Sequence, residues 1–314
     1  GFIGRDETLL LLDRAFDRDP VVLLHAYAGQ GKSATAVEFA RWYAMTGGLG
    51  PQPVVLLSSF ERPTTLADAL NQVGARFNPL LQAHGIEWHA LNDPAARRDL
   101  VIRILRQIPL LWIWDNVEPV AGFPAGSASQ WTAEEQAELA DFLKQIKLDR
   151  GTRARILLTS RRDEQGWLGG VPRRIAMPRM SRADAALLAQ ELGRERDLDR
   201  RALGHWGPLL DYCAGNPLTL RVIVGQAVRQ GLASGKQIAG FVQALRDGEQ
   251  GIQDVDAAEG RDRSLAASLD YGFRHAFRAD ELPIIALLHL FQGTVDVNVL
   301  VWMGEDEYAL PQLQ

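Results

Sequence analysis

Short apolar runs alternate with longer amphipathic stretches over the first half of the chain. Four of these runs are almost continuously apolar: VVLLHA (21–26), PVVLLSS (53–59), PLLWIWD (109–115) and ARILLTS (154–160). A strand covered by helices on both faces requires such a run, and the intervals between the runs leave room for crossover helices. The pattern therefore predicts an α/β fold with a doubly wound parallel sheet. RRIAM (173–177) is expected to add a short fifth strand.

Beyond residue 178 the apolar residues follow helical spacing. Ser181 followed by Asp184 is typical of a helix start. Three more helical segments are expected, at 206–212, 218–229 and 235–245. A segment rich in Gly, Asp and Glu at 247–263 is expected to be a linker, after which helical spacing resumes. We expect three units: an α/β domain at 1–178, an all-helical domain at 179–260 and the incomplete beginning of a third domain at 261–314.

Composition and charge limit the function classes. The chain has 314 residues and a formal charge of −5, so it offers no overall basic surface to nucleic acid or an anionic membrane. Its one cysteine, Cys213, excludes an internal disulfide and fits a reducing compartment, so we expect a buried free thiol and a cytoplasmic location. No apolar stretch is long enough to span a membrane, and the N-terminus lacks the features of a signal peptide. Because Gly1 is not an initiator methionine and the chain stops at Gln314 without a clear cap, we expect a segment of a larger protein.

The strongest candidate site is AYAGQGKSA at residues 26–34, directly after a predicted strand and before a predicted helix. Gly29 and Gly31 allow the backbone to turn so that consecutive N–H groups face phosphate oxygens. Lys32 supplies a positive charge to the β and γ phosphates, and Ser33 can ligate Mg²⁺. The sequence therefore predicts a phosphate-binding loop, with the nucleotide bound by Ala28, Gly29, Gln30, Gly31, Lys32, Ser33 and Ala34.

One residue departs from the usual GxxxxGK[ST] pattern, because Ala26 stands where the first glycine is expected. This position closes the predicted strand. A methyl group is tolerated there if the backbone angle φ is negative. We therefore retain the prediction of a phosphate-binding loop.

A second candidate is LLWIWDNVE at residues 110–118, where an apolar strand brings Asp115 to the carboxyl edge of the sheet. Ligands of open α/β sheets bind at this edge, and a carboxylate there can hold Mg²⁺ through water. Asn116 follows, where many active ATPases have a carboxylate, and an amide is a poor base. Glu118 is expected to lie on the wrong side of the site or to be solvated. We therefore expect slow hydrolysis.

Two further motifs add candidate residues. ILLTSR at 156–161 ends a predicted strand with Arg161, which could report on a γ-phosphate through charge-assisted hydrogen bonds, and Arg162 is its competitor for this role. CAGNPLTL at 213–220 breaks the helical pattern, and Pro217 suits the first turn of the next helix. The opening residues Ile3, Gly4 and Arg5 are expected to form a short extended segment before a helix.

Taken in this order, the motifs resemble those of the STAND class of P-loop ATPases, and specifically its NB-ARC family in the bacterial type. The matching segments are FIGRDE, AYAGQGKS, WIWDNVE, LLTSR and AGNPLTL, and together they cover nearly the whole chain. The resemblance implies that Ile3 and Arg5 lie on the adenine and ribose side, that Arg161 lies near the γ-phosphate and that Pro217 lies over the adenine. It also implies that Lys32 and Ser33 lie at the phosphates and the magnesium ion, and that SLAASLDYGF at 264–273 opens a winged-helix domain.

The resemblance further implies a molecular switch that holds ADP or ATP with Mg²⁺. In this family the ADP-bound form is closed and inactive, and exchange for ATP accompanies domain rotation and oligomerisation. Sensor and effector domains would then lie outside this segment, and no MHD-like motif occurs before Gln314. Two alternatives remain: an active ATPase or phosphotransferase, which no acceptor constellation near the motifs supports, and the ATPase core of a transcription regulator. Direct binding of nucleic acid by this segment is not expected.

Overall fold

The computed structural model describes residues 1–122, 128–194 and 204–249. Its strands are β1 (Val21–His25), β2 (Val54–Ser59), β3 (Leu110–Asp115), β4 (Arg155–Ser160) and β5 (Arg173–Ala176). They form one parallel sheet in the order β2-β3-β4-β1-β5. Each strand lies within a run that the sequence predicted, and the predicted α/β fold is confirmed. The predicted unit at 261–314 and most of the predicted linker lie outside the described residues.

Helices connect the strands and continue beyond the sheet. Those of the first part of the chain are α1 (Asp6–Phe16), α2 (Lys32–Met45), α3 (Leu66–Ala83), α4 (Pro94–Gln107), α5 (Ala133–Leu148) and α6 (Gln165–Leu168). Those of the second part are α7 (Arg182–Arg194), α8 (Gly207–Cys213), α9 (Pro217–Arg229) and α10 (Gly235–Glu249). Short 3-10 turns occur at Trp88–Ala90 and Glu118–Ala121. Among the described residues, no helix has the length and apolar character that crossing a membrane would require.

The sheet is buried on both faces in its centre, which explains the continuous apolar runs. One core cluster joins β3 and β4 to α3, α4 and α5, and a second joins the opposite face of the sheet to α1 and α2. Trp112 and Trp114 point to the first face, where Trp114 stacks parallel to the ring of Phe142 at 6.2 Å between centroids. The Trp112 indole N–H donates to Ser58 Oγ at 2.9 Å, so this buried polar atom is satisfied. Packing on both faces fixes the position of β3 in the sheet, and therefore the position of Asp115 at its end.

The chain begins with a tight turn, which corrects the expectation of an extended segment. Gly4 and Arg5 both have left-handed backbone conformations, with φ of 71° and 74°. Arg5 is the residue before α1, and its carbonyl accepts the N–H groups of Thr8 and Leu9 at 2.8 and 3.0 Å. A left-handed arginine is costly by about 1–2 kcal/mol, so the contacts of its side chain must offset this cost.

The contacts of the chain divide it into two units. The first comprises Gly1–Leu188 together with Gly215–Pro217, and it contains the whole sheet. The second contains the described residues of Ala189–Ala214 and of the chain from Leu218 onward. Within it α8 packs against α10, and Trp206, Leu209 and Leu245 are buried. The predicted helix start at Ser181 is confirmed, since its hydroxyl accepts the N–H of Asp184 at 3.0 Å. The domain boundaries predicted from the sequence remain predictions.

Candidate functional site

The candidate phosphate-binding loop connects β1 to α2. Gly29 and Gly31 have φ of 75° and 88°, and Gly31 is the residue before the first turn of α2. A Cβ on Gly31 would meet nothing within 4 Å, so the backbone angle rather than crowding requires glycine there. Ala26 is not among the residues with positive φ, and its N–H continues the sheet by donating to Ser160 O at 3.2 Å. The strand geometry therefore accommodates alanine in place of the usual glycine.

Three side chains hold the carbonyl groups of this loop. Lys32 is buried, and its Nζ donates to the carbonyls of Ala26 at 2.9 Å and Tyr27 at 3.2 Å. Asn216 Nδ2 donates to the Ala28 carbonyl at 3.1 Å, and Arg5 donates to the Gln30 carbonyl at 2.9 Å. In a trans peptide the N–H of the following residue points opposite to the carbonyl. These contacts therefore fix the direction of the loop's amide groups as well.

The end of the loop meets the end of β3. Ser33 Oγ, at the start of α2, donates to Asp115 Oδ1 at 2.9 Å. The buried hydroxyl of Thr159, in the neighbouring strand β4, donates to the same carboxylate oxygen. The Thr159 hydroxyl also accepts the N–H of Asn116 at 3.1 Å. A hydroxyl and a carboxylate at this point are hard oxygen ligands of the kind that Mg²⁺ prefers, so the donor set fits the predicted ion.

Asn116 turns the chain sharply at the end of β3. Its φ is 59°, in the left-handed region, where asparagine is tolerated better than most residues. The N–H of the next residue, Val117, donates to the carbonyl of Thr159 at 3.0 Å. The backbone conformation alone thus accounts for an asparagine at this position.

Glu118 is buried, which corrects the expectation that it is solvated. Its Oε1 forms an ion pair with Arg161 Nε at 3.0 Å, and the side chains of Glu118 and Arg161 are 3% and 42% exposed. Among the described residues, its second oxygen Oε2 is buried without a hydrogen-bond donor. The burial follows from the turn after Asn116, because Arg162 donates to the Glu118 carbonyl at 3.0 Å and to the Gly122 carbonyl at 2.9 Å.

Arg161 and Arg162 therefore have different surroundings, although they are adjacent in sequence. Arg162 binds main-chain carbonyls and lies 3.5 Å from a carboxylate oxygen of the buried Glu164. Glu164 also accepts from Ser160 Oγ and from the indole N–H of Trp167 at 2.8 Å. Burial raises the pKa of Glu164 above its ordinary value, and these hydrogen bonds oppose the shift. Arg161 faces the carboxylate of Glu118 instead.

Arg5 lies buried between the loop and the segment that follows β5. Its guanidinium donates to the Pro178 carbonyl and to the Gln30 carbonyl, and it lies 3.5 Å from Gln30 Oε1. Burial lowers the pKa of Arg5, while the nearby negative charge of Asp184 raises it. Ile3, which was predicted together with Arg5 on the adenine and ribose side, is half-buried.

The Gly-Asn-Pro segment belongs to the sheet-containing unit, although the helices on either side of it belong mainly to the other unit. Gly215 has a φ of 73°, and its carbonyl accepts the N–H of Met180 at 3.1 Å. A Cβ at Gly215 would lie 2.5 Å from the Met180 carbonyl oxygen, so glycine is required. Asn216 is 2% exposed, and α9 begins at Pro217 as predicted.

The structure thus brings Lys32, Ser33 and Asp115 together at the carboxyl edge of the sheet, with Arg5 holding the loop. Sequence reasoning gave no role to Thr159 or Asn216. The hydroxyl at the end of β4 was visible in LLTSR, but nothing in the sequence connected Asn216 to a backbone carbonyl 188 residues away.

Similar chains were found among solved structures. No family model and no curated protein matches the chain. Among solved structures, the Walker-type ATPase PABY2304 of Pyrococcus abyssi matches at 16% identity and a TM-score of 0.50, covering 99% of this chain and 88% of that one. The ORC2 protein of Aeropyrum pernix in its ADP form matches at 16% identity and a TM-score of 0.48, covering 92% and 88%. Domain III of the Thermotoga maritima replication initiation protein DnaA matches at 11% identity and a TM-score of 0.45, covering 77% and 93%.

The Pyrococcus match and the sheet order together identify the fold as that of a P-loop NTPase. At 16% identity the likeness extends to the fold alone. In the present chain, the carboxyl edge of this fold holds the loop between β1 and α2, together with Ser33 and Asp115.

Proposed function

We propose that this chain is a nucleotide-binding module that holds ADP or ATP together with Mg²⁺. The observation that carries the proposal is the contact of Ser33 Oγ with Asp115 Oδ1 at 2.9 Å, between residues 82 positions apart. One is the hydroxyl at the end of a glycine-containing loop, and the other is the carboxylate at the end of a buried strand. Few other functions require a hydroxyl in the first turn of a helix to meet a carboxylate at the end of a neighbouring parallel strand.

The phosphates would bind at the amino end of α2. The N–H groups of a first helical turn have no acceptor within the helix, and together with the helix dipole they favour an anion there. The Nζ of Lys32 already lies over the loop, where it donates to two carbonyls. A phosphate oxygen is a stronger acceptor for an ammonium group than a carbonyl is, so nucleotide would replace these contacts with charge-assisted hydrogen bonds.

The magnesium ion would lie between Ser33 and Asp115. Mg²⁺ keeps much of its hydration shell and takes few protein ligands, so one hydroxyl and one carboxylate acting through water suffice. The bound ion would neutralise charge on the β and γ phosphates. The hydrogen bond from Thr159 keeps the Asp115 carboxylate directed at this position.

The finer proposal is a switch of the STAND and NB-ARC type. The Gly215–Pro217 segment supports it, because this segment contacts the phosphate loop while the chain on both sides continues into the helical unit. A ligand that binds two arrangements of the chain with different affinities shifts their populations. Asn116 in place of a carboxylate favours slow hydrolysis. Self-association in the ATP state, sensor and effector domains elsewhere in a larger cytoplasmic protein, and contact of Pro217 with adenine belong to the same proposal.

The experiment that tests the switch is to release and identify any nucleotide that copurifies with the chain, and then to time ATP turnover with Mg²⁺. The switch predicts bound ADP and turnover well below about one per second, the low end for ordinary enzymes. Protein that is empty and turns over rapidly would instead favour an active ATPase.

A further inference from the structure

Two charged residues at the carboxyl edge of the sheet form an ion pair that the proposed nucleotide contacts do not use. Arg161 follows β4 and Glu118 follows β3, and these strands are parallel neighbours. Arg161 Nε forms an ion pair with Glu118 Oε1 at 3.0 Å. The two residues follow the carboxyl ends of these strands, and at those ends the hydroxyl of Thr159 binds the carboxylate of Asp115. The ion pair therefore belongs to the segments that leave the edge of the sheet where the magnesium ion is proposed to bind, and its carboxylate is buried.

The burial of Glu118 makes this ion pair hard to break. The carboxylate is 3% exposed, and its Oε2 receives no hydrogen bond within the described part of the chain. A buried carboxylate is unfavourable unless a cation compensates it, and breaking such a pair costs much more than breaking one on the surface. The turn that carries Glu118 cannot easily move outward, because Arg162 donates to its carbonyl and to that of Gly122.

Because the guanidinium of Arg161 is planar, the ion pair at Nε also orients its terminal nitrogens. The N–H donors of arginine form a rigid planar fork, so fixing Nε fixes the direction of the terminal nitrogens as well. A long side chain that is already ordered loses less conformational entropy when a ligand arrives, a saving of roughly 0.5–1.5 kcal/mol, or about two- to tenfold in affinity.

We infer that Glu118 is a positioning residue: it holds Arg161 so that Arg161 distinguishes the triphosphate from the diphosphate. This inference rests on the proposed function and deepens it. It assigns to Glu118 a role through Arg161, and not that of a base, since its side chain is 3% exposed and its Oε1 is paired with Arg161. It also gives the two neighbouring arginines different roles, because Arg162 donates to the main-chain carbonyl of Glu118 and so holds the turn.

The test measures the affinities of the unmutated chain and its variants for Mg·ADP and for the Mg complex of a β,γ-methylene ATP analogue. The variants are Glu118→Gln, Arg161→Ala and the double variant. Arg161→Ala is expected to reduce the preference for the triphosphate by about tenfold or more, as for a lost charge-assisted hydrogen bond. Glu118→Gln keeps shape and an acceptor but removes the charge, and it is expected to reduce the same preference by roughly threefold. The double variant is expected to match Arg161→Ala, because Glu118 acts through Arg161.

The control is Asp149→Asn, which breaks another partly buried ion pair, that of Asp149 with Arg106 at 2.5 Å. Asp149 precedes the amino end of β4, at the opposite edge of the sheet, so this variant should leave the triphosphate preference unchanged. Arg161→Ala leaves a buried carboxylate without its cation and can impair folding. The double variant removes both charges, so it leaves no unpaired buried carboxylate and its triphosphate preference can still be measured.

The outcomes separate this inference from the proposed function. Equal losses of ADP and analogue affinity in Glu118→Gln would show a merely structural role and overturn the inference alone. An increased triphosphate preference in Glu118→Gln would also overturn it, because Glu118 would then restrain Arg161 from the phosphate. If the unmutated chain binds neither nucleotide, the proposed function fails and the inference fails with it.

Discussion

The hydrogen bond from Asn216 to the phosphate loop offers a quantitative test of how the loop is held. Asn216 is 2% exposed, and its Nδ2 donates to the Ala28 carbonyl at 3.1 Å. Asn216→Ala removes this donor and leaves the carbonyl of a half-buried residue unsatisfied, which costs about 1–2 kcal/mol, the lower part of the usual range. If the lost contact populates loop conformations that cannot bind, the apparent Kd for ADP rises by the same free energy, or roughly 5- to 30-fold.

The assay is titration calorimetry with Mg·ADP, together with denaturant unfolding of each variant. Asn216→Asp keeps the shape but places an acceptor against the carbonyl, so it should lose at least as much affinity. Asn71→Ala is a matched control, since Asn71 Oδ1 accepts from the indole N–H of Trp88 at 3.2 Å away from the loop. That variant should lose stability without losing affinity. An unchanged ADP affinity in Asn216→Ala, with a stability loss like that of Asn71→Ala, would refute the reasoning.

Three further predictions concern other parts of the molecule. Thr159→Val removes the hydroxyl that binds Asp115, so the gain in ADP affinity on adding Mg²⁺ should fall by about tenfold, measured with and without a chelator. Burial raises the pKa of Glu164, so its contribution to stability is full below its ordinary pKa of 4.5 and is lost as pH rises through the raised value. The stability of the unmutated chain relative to Glu164→Gln should therefore fall as the pH rises above 4.5, measured by denaturant unfolding. Burial raises the pKa of Cys213 to about 12, so a thiol reagent at about pH 8 should react only on unfolding.

The strands could be predicted from the sequence because burial on both faces leaves a direct trace in the residues. VVLLH and LLWIWD are apolar at every position that a neighbouring helix covers, and both became central strands. The edge strand β2 alternates between buried and exposed positions, yet its sequence VVLLSS was apolar enough to be recognised. The phosphate loop was predictable because its glycines, lysine and serine all lie within five residues of one another in the sequence.

The remaining features depend on contacts between distant residues or on local backbone angles. The left-handed conformation of Arg5 is not expected for arginine, and it is maintained by bonds from its side chain to Pro178 and Gln30. The burial of Glu118 depends on the turn at Asn116 and on Arg162, 44 residues later. Neither leaves a local pattern, so the sequence suggested an extended segment in the first case and a solvated side chain in the second.

The most direct test of the nucleotide site is calorimetry of Mg·ADP binding to the unmutated chain and to Lys32→Ala. The account predicts one nucleotide per chain and a loss of roughly tenfold to a hundredfold in the variant, the cost of one charge-assisted hydrogen bond to phosphate. Lys147→Ala is the control, because Lys147 donates to the Gly170 carbonyl at 2.8 Å away from the loop, and it should bind as the unmutated chain does. Equal affinities of Lys32→Ala and the unmutated chain, or no binding by either, would contradict the account.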